Sequence, residues 1–437
     1  MNDLLGFAAY LLMPMIGIGI WRLDIVRRMP LPARLATAFA AGILATSIVM
    51  AMLSLISVQW NRTKLFTILG ILAAIGARLV ITGRRAQGAG RRSGEGDASD
   101  SDSPPAPRAL LPAPWAVLIL VFVVLTGYGV LTARESAGDL HFFWGPKAVR
   151  FFRAGGIDAA YLRQSDYQPA HPDYPPLVPL LYAWSHTVSS GSLSWWAAVA
   201  ATVLFLFGAV FLIHGASGDG PGALLVASTL SYAYAVGFAA GGADPPLVFF
   251  EALTLVALTF LANERGSDVL AAIGLCGAAW TKIEGATFAI AVVLALLLVR
   301  RDWKRALRIS APAAVLLGAW VLFVKLAHLL ELYRGAAMDL YWDALPGTLV
   351  TMARTATYEL YALPWIIPVL LLALGRNRGA ASLPLVVAAL TAGVSVYFYI
   401  HLPDPTWWIL ASAPRVLLTP LLALLIAALA SWRPRAI

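Results

Sequence analysis

Apolar runs of about 17–25 residues recur along the whole chain and limit its fold more than any other feature. A helical run of that length crosses a hydrocarbon core of about 30 Å. The candidate spans lie near 4–21, 33–57, 65–83, 113–132, 193–214, 221–241, 246–262, 268–281, 285–299, 310–330, 358–374, 381–400 and 414–432. We therefore predict an all-α polytopic membrane protein with about 13 transmembrane helices.

The composition agrees with lipid as the main solvent of this chain. Only 13% of its 437 residues are charged, whereas soluble domains carry about 25% charged residues. The net charge of +9 comes mostly from short loops between apolar runs, which is typical of positive-inside topology and argues against nucleic acid as a partner. Cys276 is the single cysteine, so an intrachain disulfide is excluded. The first apolar run lacks a basic n-region and is interpreted as a retained span.

The basic loops also give an orientation and a domain division. Arginine clusters after the first, third and ninth runs and near the C-terminus are all placed in the cytoplasm. Residues 1–85 are then an N-terminal three-helix transmembrane unit. Residues 86–112, rich in Gly, Ser, Pro and Asp, are predicted to be a flexible cytoplasmic linker. Residues 113–437 form the main transmembrane domain, and 133–192 are its first large outer loop.

Two segments of this outer loop are predicted to be juxtamembrane helices. Residues 139–154 are amphipathic and should lie in the plane of the interface. The residues that can form their apolar side are Phe142, Phe143, Ala148, Phe151 and Phe152. Residues 175–187 are too short to span the membrane and begin with proline, so they are interpreted as a second interfacial or half-buried helix.

Ionisable and polar side chains collect where predicted spans reach the outer face. They are Asp139, His141, Lys147, His171, Asp173, Tyr174, Asp244, Lys282, Glu284 and Arg415. Ionisable groups at membrane depth are costly and are therefore functional candidates. Each has a simpler alternative: Asp139 suits a helix N-cap, and Lys147 suits a lysine that extends to the interface. Convergence of separate segments on one face favours a functional site.

The order of short motifs resembles a known family. Asp139 follows a span and is followed by "WGPKA", by "YPPL" at 174–177, by "ADPP" at 243–246 and by "TKIEG" at 281–285. Over about residues 113–437, this order resembles GT-C glycosyltransferases. The closer branch is that of protein O-mannosyltransferases and lipid A aminoarabinose transferases. The family's acidic pair around the second outer loop is reduced here to Asp244.

This resemblance implies a GT-C-like helical bundle that transfers a sugar from a polyprenyl-phosphate donor on the non-cytoplasmic face, with inversion. Asp139 matches the family's catalytic acid by position and is predicted to be the general base. A leaving phosphate requires positive charge, for which the candidates are Lys147, Lys282 and Arg415. The candidates for contacts with the sugar or the acceptor are His141, His171, Tyr174, Asp244 and Glu284.

We predict no cofactor and no metal site, because no metal-ligand spacing recurs; a divalent metal is kept as an open alternative. The predicted partners are a polyprenyl-phosphate sugar, membrane lipid and an acceptor left open among protein, lipid, glycan and polyol. The chain has no GxxxxGK[ST], GxSxG or HExxH motif, which argues against an ATPase, a serine hydrolase or a zinc protease. The predicted location is a bacterial inner membrane, with the site facing the periplasm.

Two other classes of function remain as alternatives. A lipid-linked glycan ligase or polymerase shares the donor lipid and uses a late, charged outer loop. In this chain that loop is 331–357, with Arg334, Asp339, Asp343 and Arg354. A polytopic transporter or flippase commonly has internal repeats and charges at the membrane midplane, whereas the polar groups here collect at one face.

Overall fold

The structure is a computed structural model that describes residues 2–91, 124, 126–128, 138–164, 171–189, 195–236, 239–329, 341–356, 363–402 and 404–433. Within these ranges every regular element is a helix, and no strand occurs. The prediction of an all-α chain is confirmed for this part of the sequence. This is the fold expected where lipid offers backbone groups no other hydrogen-bond partner.

The helices of the first half include several short elements. They are α1 (Asn2–Leu11), α2 (Met13–Ile16), α3 (Asp24–Arg28), α4 (Leu31–Leu55), α5 (Arg62–Arg91), α6 (Gly145–Ala154), α7 (Ala159–Leu162), α8 (Leu177–Val188), α9 (Trp195–Ser217) and α10 (Gly220–Val236). A 3-10 turn covers Ile18–Arg22, and a π-helical turn, Leu140–Trp144, leads directly into α6.

The second half begins with the central helix of the bundle. Its helices are α11 (Asp244–Thr259), α12 (Ser267–Thr281), α13 (Ile283–Ala295), α14 (Trp303–Leu326), α15 (Leu345–Arg354), α16 (Leu363–Leu374), α17 (Arg378–Tyr399), α18 (Pro405–Val416) and α19 (Leu418–Ser431). Asp302, Asn377 and Asp404 cap α14, α17 and α18, because each side chain accepts a backbone N–H of the first turn.

Seven helices of the described residues are long and apolar enough to cross a membrane, which indicates an integral membrane protein. They are Leu4–Arg22, Leu31–Leu55, Arg62–Thr82, Trp196–Ser217, Ile283–Arg300, Trp303–Leu326 and Arg378–Tyr399. Helices α18 and α19 are bent by 42° and provide an eighth span if they are counted as one. The predicted number of 13 spans is not confirmed.

The difference arises because several apolar runs fold into helices that are too short. Helices α10, α11 and α12 contain 17, 16 and 15 residues. At 1.5 Å per residue, 16 residues reach only about 24 Å. A helix surrounded by other helices and a helix that faces lipid have the same high hydropathy, so the sequence pattern does not distinguish them. The predicted span 113–132 lies almost entirely outside the described residues.

Helix α11 lies at the centre of the bundle and is buried along nearly its whole length, against α9, α12 and α19. Glycines on the neighbouring helices allow this close packing. A Cβ atom on Gly277 of α12 would lie 2.1 Å from the ring of Phe250, and one on Gly208 of α9 would lie 2.6 Å from Phe249. Small residues let apolar helices approach closely. Asp244, the first residue of α11, is thereby held at one end of the bundle.

The N-terminal helices pack directly on the rest of the bundle. The Trp184 indole of α8 donates to the Ala9 carbonyl at 3.0 Å, and the Ser185 hydroxyl donates to the Gly6 carbonyl at 2.8 Å. Helix α5 continues through residues 86–91 of the predicted linker. Residues 92–112 lie outside the described residues, and the predicted division into two transmembrane units stays a prediction.

The predicted amphipathic segment 139–154 folds into the π-helical turn and α6, which ends at Gly155 with a φ of 63°. Ala148 and Phe151 are buried as expected, but Phe142 is 73% exposed. The π-helical turn changes the helical period, which the sequence pattern did not indicate. Helix α8 is buried at every position beneath α1, α4 and α6, so the expectation that it is half-buried is wrong, whereas the alternative of an interfacial helix stays a prediction.

Candidate functional site

A cavity of about 440 Å³ lies where the π-helical turn, residues 171–174, the α12–α13 junction and helices α17–α19 meet. Its wall contains most of the side chains that the sequence predicts for the site. Those in the wall are Asp139, His171, Tyr174, Lys282, Glu284 and Arg415. The described chain therefore brings together residues that are up to 276 positions apart in sequence.

Asp139 and Arg415 form an ion pair in the cavity wall. The Arg415 guanidinium, in the last turn of α18, donates a hydrogen bond to the Asp139 carboxylate at the start of the π-helical turn. Each side chain is 24% exposed. Burial raises the pKa of the Asp139 carboxyl above its ordinary value, although the charge of Arg415 acts in the opposite direction. Asp139 is therefore both paired and a stronger base than an ordinary surface aspartate.

A second charged group surrounds Lys282, the single residue between α12 and α13. Its extended backbone, with φ −165° and ψ 173°, interrupts the helical path and turns the side chain into the bundle. The Lys282 ammonium lies 2.7 Å from the Asp244 carboxylate and 3.0 Å from that of Glu284. The Asp244 side chain is 3% exposed and that of Glu284 is 32% exposed. Asp244 thus lies behind Lys282, whereas Glu284 shares the cavity wall with it.

Both cations in the cavity wall already have carboxylate partners. Lys282 contacts two carboxylates, and Arg415 contacts one. An anion that enters the cavity must therefore compete with these carboxylates for each cation. Arginine is better suited to this exchange, because its planar fork can bind phosphate oxygens through parallel hydrogen bonds.

Aromatic side chains form the neighbouring wall. The His171 and Tyr174 rings stack with centroids 4.4 Å apart, and the Trp144 and Phe143 rings lie 6.0 Å from Tyr174 and 5.7 Å from His171, respectively. Burial lowers the pKa of His171 to about 4, with further contributions from nearby cations such as Lys147. The imidazole is therefore neutral at neutral pH, and this wall is an uncharged aromatic surface.

Three predicted site residues do not line the cavity. Asp244 lies behind Lys282, and His141 is half-buried in the π-helical turn. Lys147 is 2% exposed. Its amine donates to the backbone carbonyl of His171, and its Nζ atom lies 5.1 Å from the Trp144 ring centroid. The predicted contacts of His141 with sugar or acceptor and of Lys147 with a donor phosphate stay predictions.

The sequence analysis missed Glu251, a completely buried acid on α11 two turns after Asp244. One of its oxygens accepts the Thr419 hydroxyl at 2.8 Å, and the other has no hydrogen-bond partner among the described residues. Thr419 lines the cavity, so Glu251 lies directly behind its wall. The sequence did contain one indication of Glu251 as a candidate, because a carboxylate within an apolar run is costly and needs a reason. The adjacent Trp407 and Trp408, which also line the cavity, were likewise not selected.

Among the described residues, no group of three or more His, Cys, Asp or Glu side chains is placed to hold a metal ion. Within the cavity wall the carboxylates face cations at 3.0 Å or closer. This arrangement suits ion pairing better than metal coordination. The prediction that the site contains no metal stays a prediction.

The cavity therefore combines a carboxylate that can accept a proton, cations that can bind an anion, and an aromatic surface. No protein-family model, curated protein or solved structure matches this chain.

Proposed function

We propose that this chain is an integral membrane glycosyltransferase. It transfers a sugar from a polyprenyl-phosphate donor to an acceptor on the non-cytoplasmic face, with inversion at the anomeric carbon. The observation that carries the proposal is the shared cavity of Asp139, Lys282 and Arg415, beside the stacked rings of His171 and Tyr174. These are the groups that such a reaction needs: a base, cations for a phosphate and a surface for a sugar ring.

The apolar side of the cavity supports a donor with a lipid chain. Residues from α17 and α18 line this side, among them Val394, Phe398, Trp407 and Trp408. Val394 is 40% exposed and Trp407 is 57% exposed, so the apolar wall continues to the outer surface of the helices. A prenyl chain can follow this surface while its phosphate reaches the charged wall, because the apolar chain stays out of water.

In the proposed reaction the donor phosphate binds Arg415, which releases the Asp139 carboxylate from its ion pair. The acceptor hydroxyl oxygen attacks the anomeric carbon, and the bond from that carbon to the phosphate oxygen breaks. The acceptor proton passes to Asp139, and polyprenyl phosphate leaves with the bonding electrons and the negative charge. Arg415 and Lys282 stabilise this charge as it develops. One displacement needs one base, so a single cavity carboxylate suffices.

The test is an in vitro transfer assay with purified protein and a panel of polyprenyl-phosphate sugars. Asp139→Asn keeps the shape of the side chain but removes the base. We expect turnover to fall by about 10²–10⁴-fold, the usual contribution of general base catalysis. Unchanged turnover in Asp139→Asn would remove Asp139 from this role. Absence of transfer from every donor of the panel by the wild type would count against the proposed function.

Asp343→Asn is the matched control. Asp343 is exposed in a short 3-10 turn and does not line the cavity, so its variant should transfer sugar at the wild-type rate. This residue lies in the late loop on which the ligase or polymerase alternative depends. Loss of activity in Asp343→Asn, with Asp139→Asn active, would favour that alternative.

A further inference from the structure

Lys147 is a buried lysine whose amine is directed toward the backbone of another segment. Its side chain emerges from the first turn of α6, and the residue is 2% exposed. The Nζ atom donates to the carbonyl of His171, 24 positions later in the chain, and lies over the Trp144 ring. Burial of an amine is costly unless it forms compensating interactions. This contact therefore ties α6 to the segment that carries His171.

The segment held by Lys147 has an unfavourable backbone conformation. His171 has a φ of 49°, in the left-handed region that residues other than glycine rarely adopt. Such a conformation persists only where surrounding contacts hold it in place. In this conformation the His171 ring stacks on Tyr174 and both rings line the cavity. A hydrogen bond to the carbonyl of the strained residue is well placed to maintain it.

We propose that Lys147 is a positioning residue, which holds His171 and Tyr174 as a stacked surface for the sugar ring of the donor. It acts through the His171 backbone and does not contact the donor phosphate. This inference rests on the proposed function for the identity of the ligand, whereas the positioning itself is independent of it. The phosphate contacts are left to Arg415 and Lys282, which line the cavity.

The geometry distinguishes this role from that of a lysine at the membrane interface. A lysine that extends to the interface keeps its ammonium in water. The Lys147 amine is instead enclosed between the Trp144 ring and the His171 carbonyl. Arg150, one turn further along α6, provides the comparison: it is half-exposed, and its guanidinium lies over the Tyr161 ring. Arg150→Met is therefore a control that removes a basic residue from the same helix.

The first experiment tests the positioning without any substrate. The chain has six histidines, so histidine-selective ¹⁵N and ¹³C labelling in nanodiscs gives few ring signals, and His171→Gln assigns that of His171. Lys147→Met should shift the His171 ring signal, because the ring loses its fixed stacking on Tyr174. Arg150→Met should leave it in place. A His171 signal that is identical in Lys147→Met and the wild type would overturn the proposal.

The second experiment separates sugar contacts from phosphate contacts. Lys147→Met should raise the KM for the sugar-linked donor between tenfold and about a hundredfold, the range expected when a group is displaced by about 1 Å. In Lys147→Met, inhibition by polyprenyl phosphate, which has no sugar, should be unchanged within about twofold. In Arg415→Gln, this inhibition should be strongly weakened. Equal weakening of donor and polyprenyl phosphate binding in Lys147→Met would overturn the proposal. Absence of transfer in the wild type would refute the proposed function but leave the NMR result decisive for positioning.

Discussion

Replacement of Lys147 should change how the stability of the protein depends on pH. Burial lowers the pKa of Lys147 to about 7, and the charge of Asp173 only partly opposes this. In the unfolded chain the pKa returns to about 10.4. Between these two values the unfolded chain binds a proton at Lys147 that the folded protein does not bind. Stability therefore rises with pH across this interval and is independent of Lys147 protonation below and above it.

The slope follows from this difference in bound protons. One proton corresponds to about 1.4 kcal/mol of unfolding free energy per pH unit. From pH 7.5 to 9.5, the wild type should gain about 3 kcal/mol relative to Lys147→Met, which has no proton to bind at this position. The whole interval from 7 to 10.4 corresponds to about 5 kcal/mol. Comparison of two variants removes the effect of groups that titrate equally in both.

The assay is denaturant-induced unfolding in detergent micelles at pH 7.5, 8.5 and 9.5, for the wild type, Lys147→Met and Arg150→Met. We expect the curve of stability against pH for Arg150→Met to run parallel to that of the wild type. The curve for Lys147→Met should be flatter, by about 1.4 kcal/mol per pH unit. Parallel curves for Lys147→Met and the wild type would show that this lysine is protonated in the folded protein, and would refute the reasoning.

Three further predictions concern the charged wall and the helix packing. Asp244→Asn removes the buried carboxylate that lies 2.7 Å from Lys282, and it should reduce the unfolding free energy by about 3 kcal/mol. In the double variant with Lys282→Met, the loss of unfolding free energy should be smaller than the sum of the losses in the two single variants. Gly285→Ala would place a Cβ atom 1.8 Å from the α12 backbone, so the yield of monodisperse protein in size-exclusion chromatography should fall for this variant. Gly393→Ala is the control: no atom lies within 4 Å of its added Cβ, and the yield should not change. The kcat/KM of sugar transfer should decline as the pH falls through the pKa of Asp139. Because this pKa is raised, the decline should begin at a higher pH than for an ordinary aspartate, whose pKa is about 4.

Each of these has an outcome that contradicts it. Strict additivity in the Asp244 and Lys282 double variant would show that the pair contributes no coupling energy. Equal yields of the Gly285 and Gly393 variants would show that α12 and α13 do not pack as closely as described. Full transfer activity at pH 4 would show that the pKa of the Asp139 carboxyl is not raised, or that Asp139 is not the base.

The charged part of the cavity wall could be selected from the sequence, because charge is rare in this chain. Asp139, Lys282 and Arg415 each stand at the end of an apolar run, where an ionisable side chain is costly and needs a reason. That physical rule, together with the order of the short motifs, was sufficient to select them. It was not sufficient to pair them, since Asp139 and Arg415 are 276 positions apart.

Other features depend on packing that a linear pattern does not contain. Lys147 and Lys282 look alike in sequence, yet one faces a backbone carbonyl and the other faces a cavity. The predicted number of 13 spans is not confirmed among the described residues, because an apolar helix surrounded by protein has the same hydropathy as one surrounded by lipid. Glu251 was missed because no motif surrounds it, although an acid within an apolar run was itself a signal.

The ion pairs of the cavity wall limit which anions can occupy the cavity. A free phosphate from solution must displace the carboxylate partners of Lys282 and Arg415 with no other contact to compensate. A phosphate attached to a lipid is retained at the membrane, where its effective concentration near the cavity is far higher. Under the proposed function, we therefore expect a lipid-anchored phosphate to occupy the cavity far more readily than free phosphate from the surrounding water.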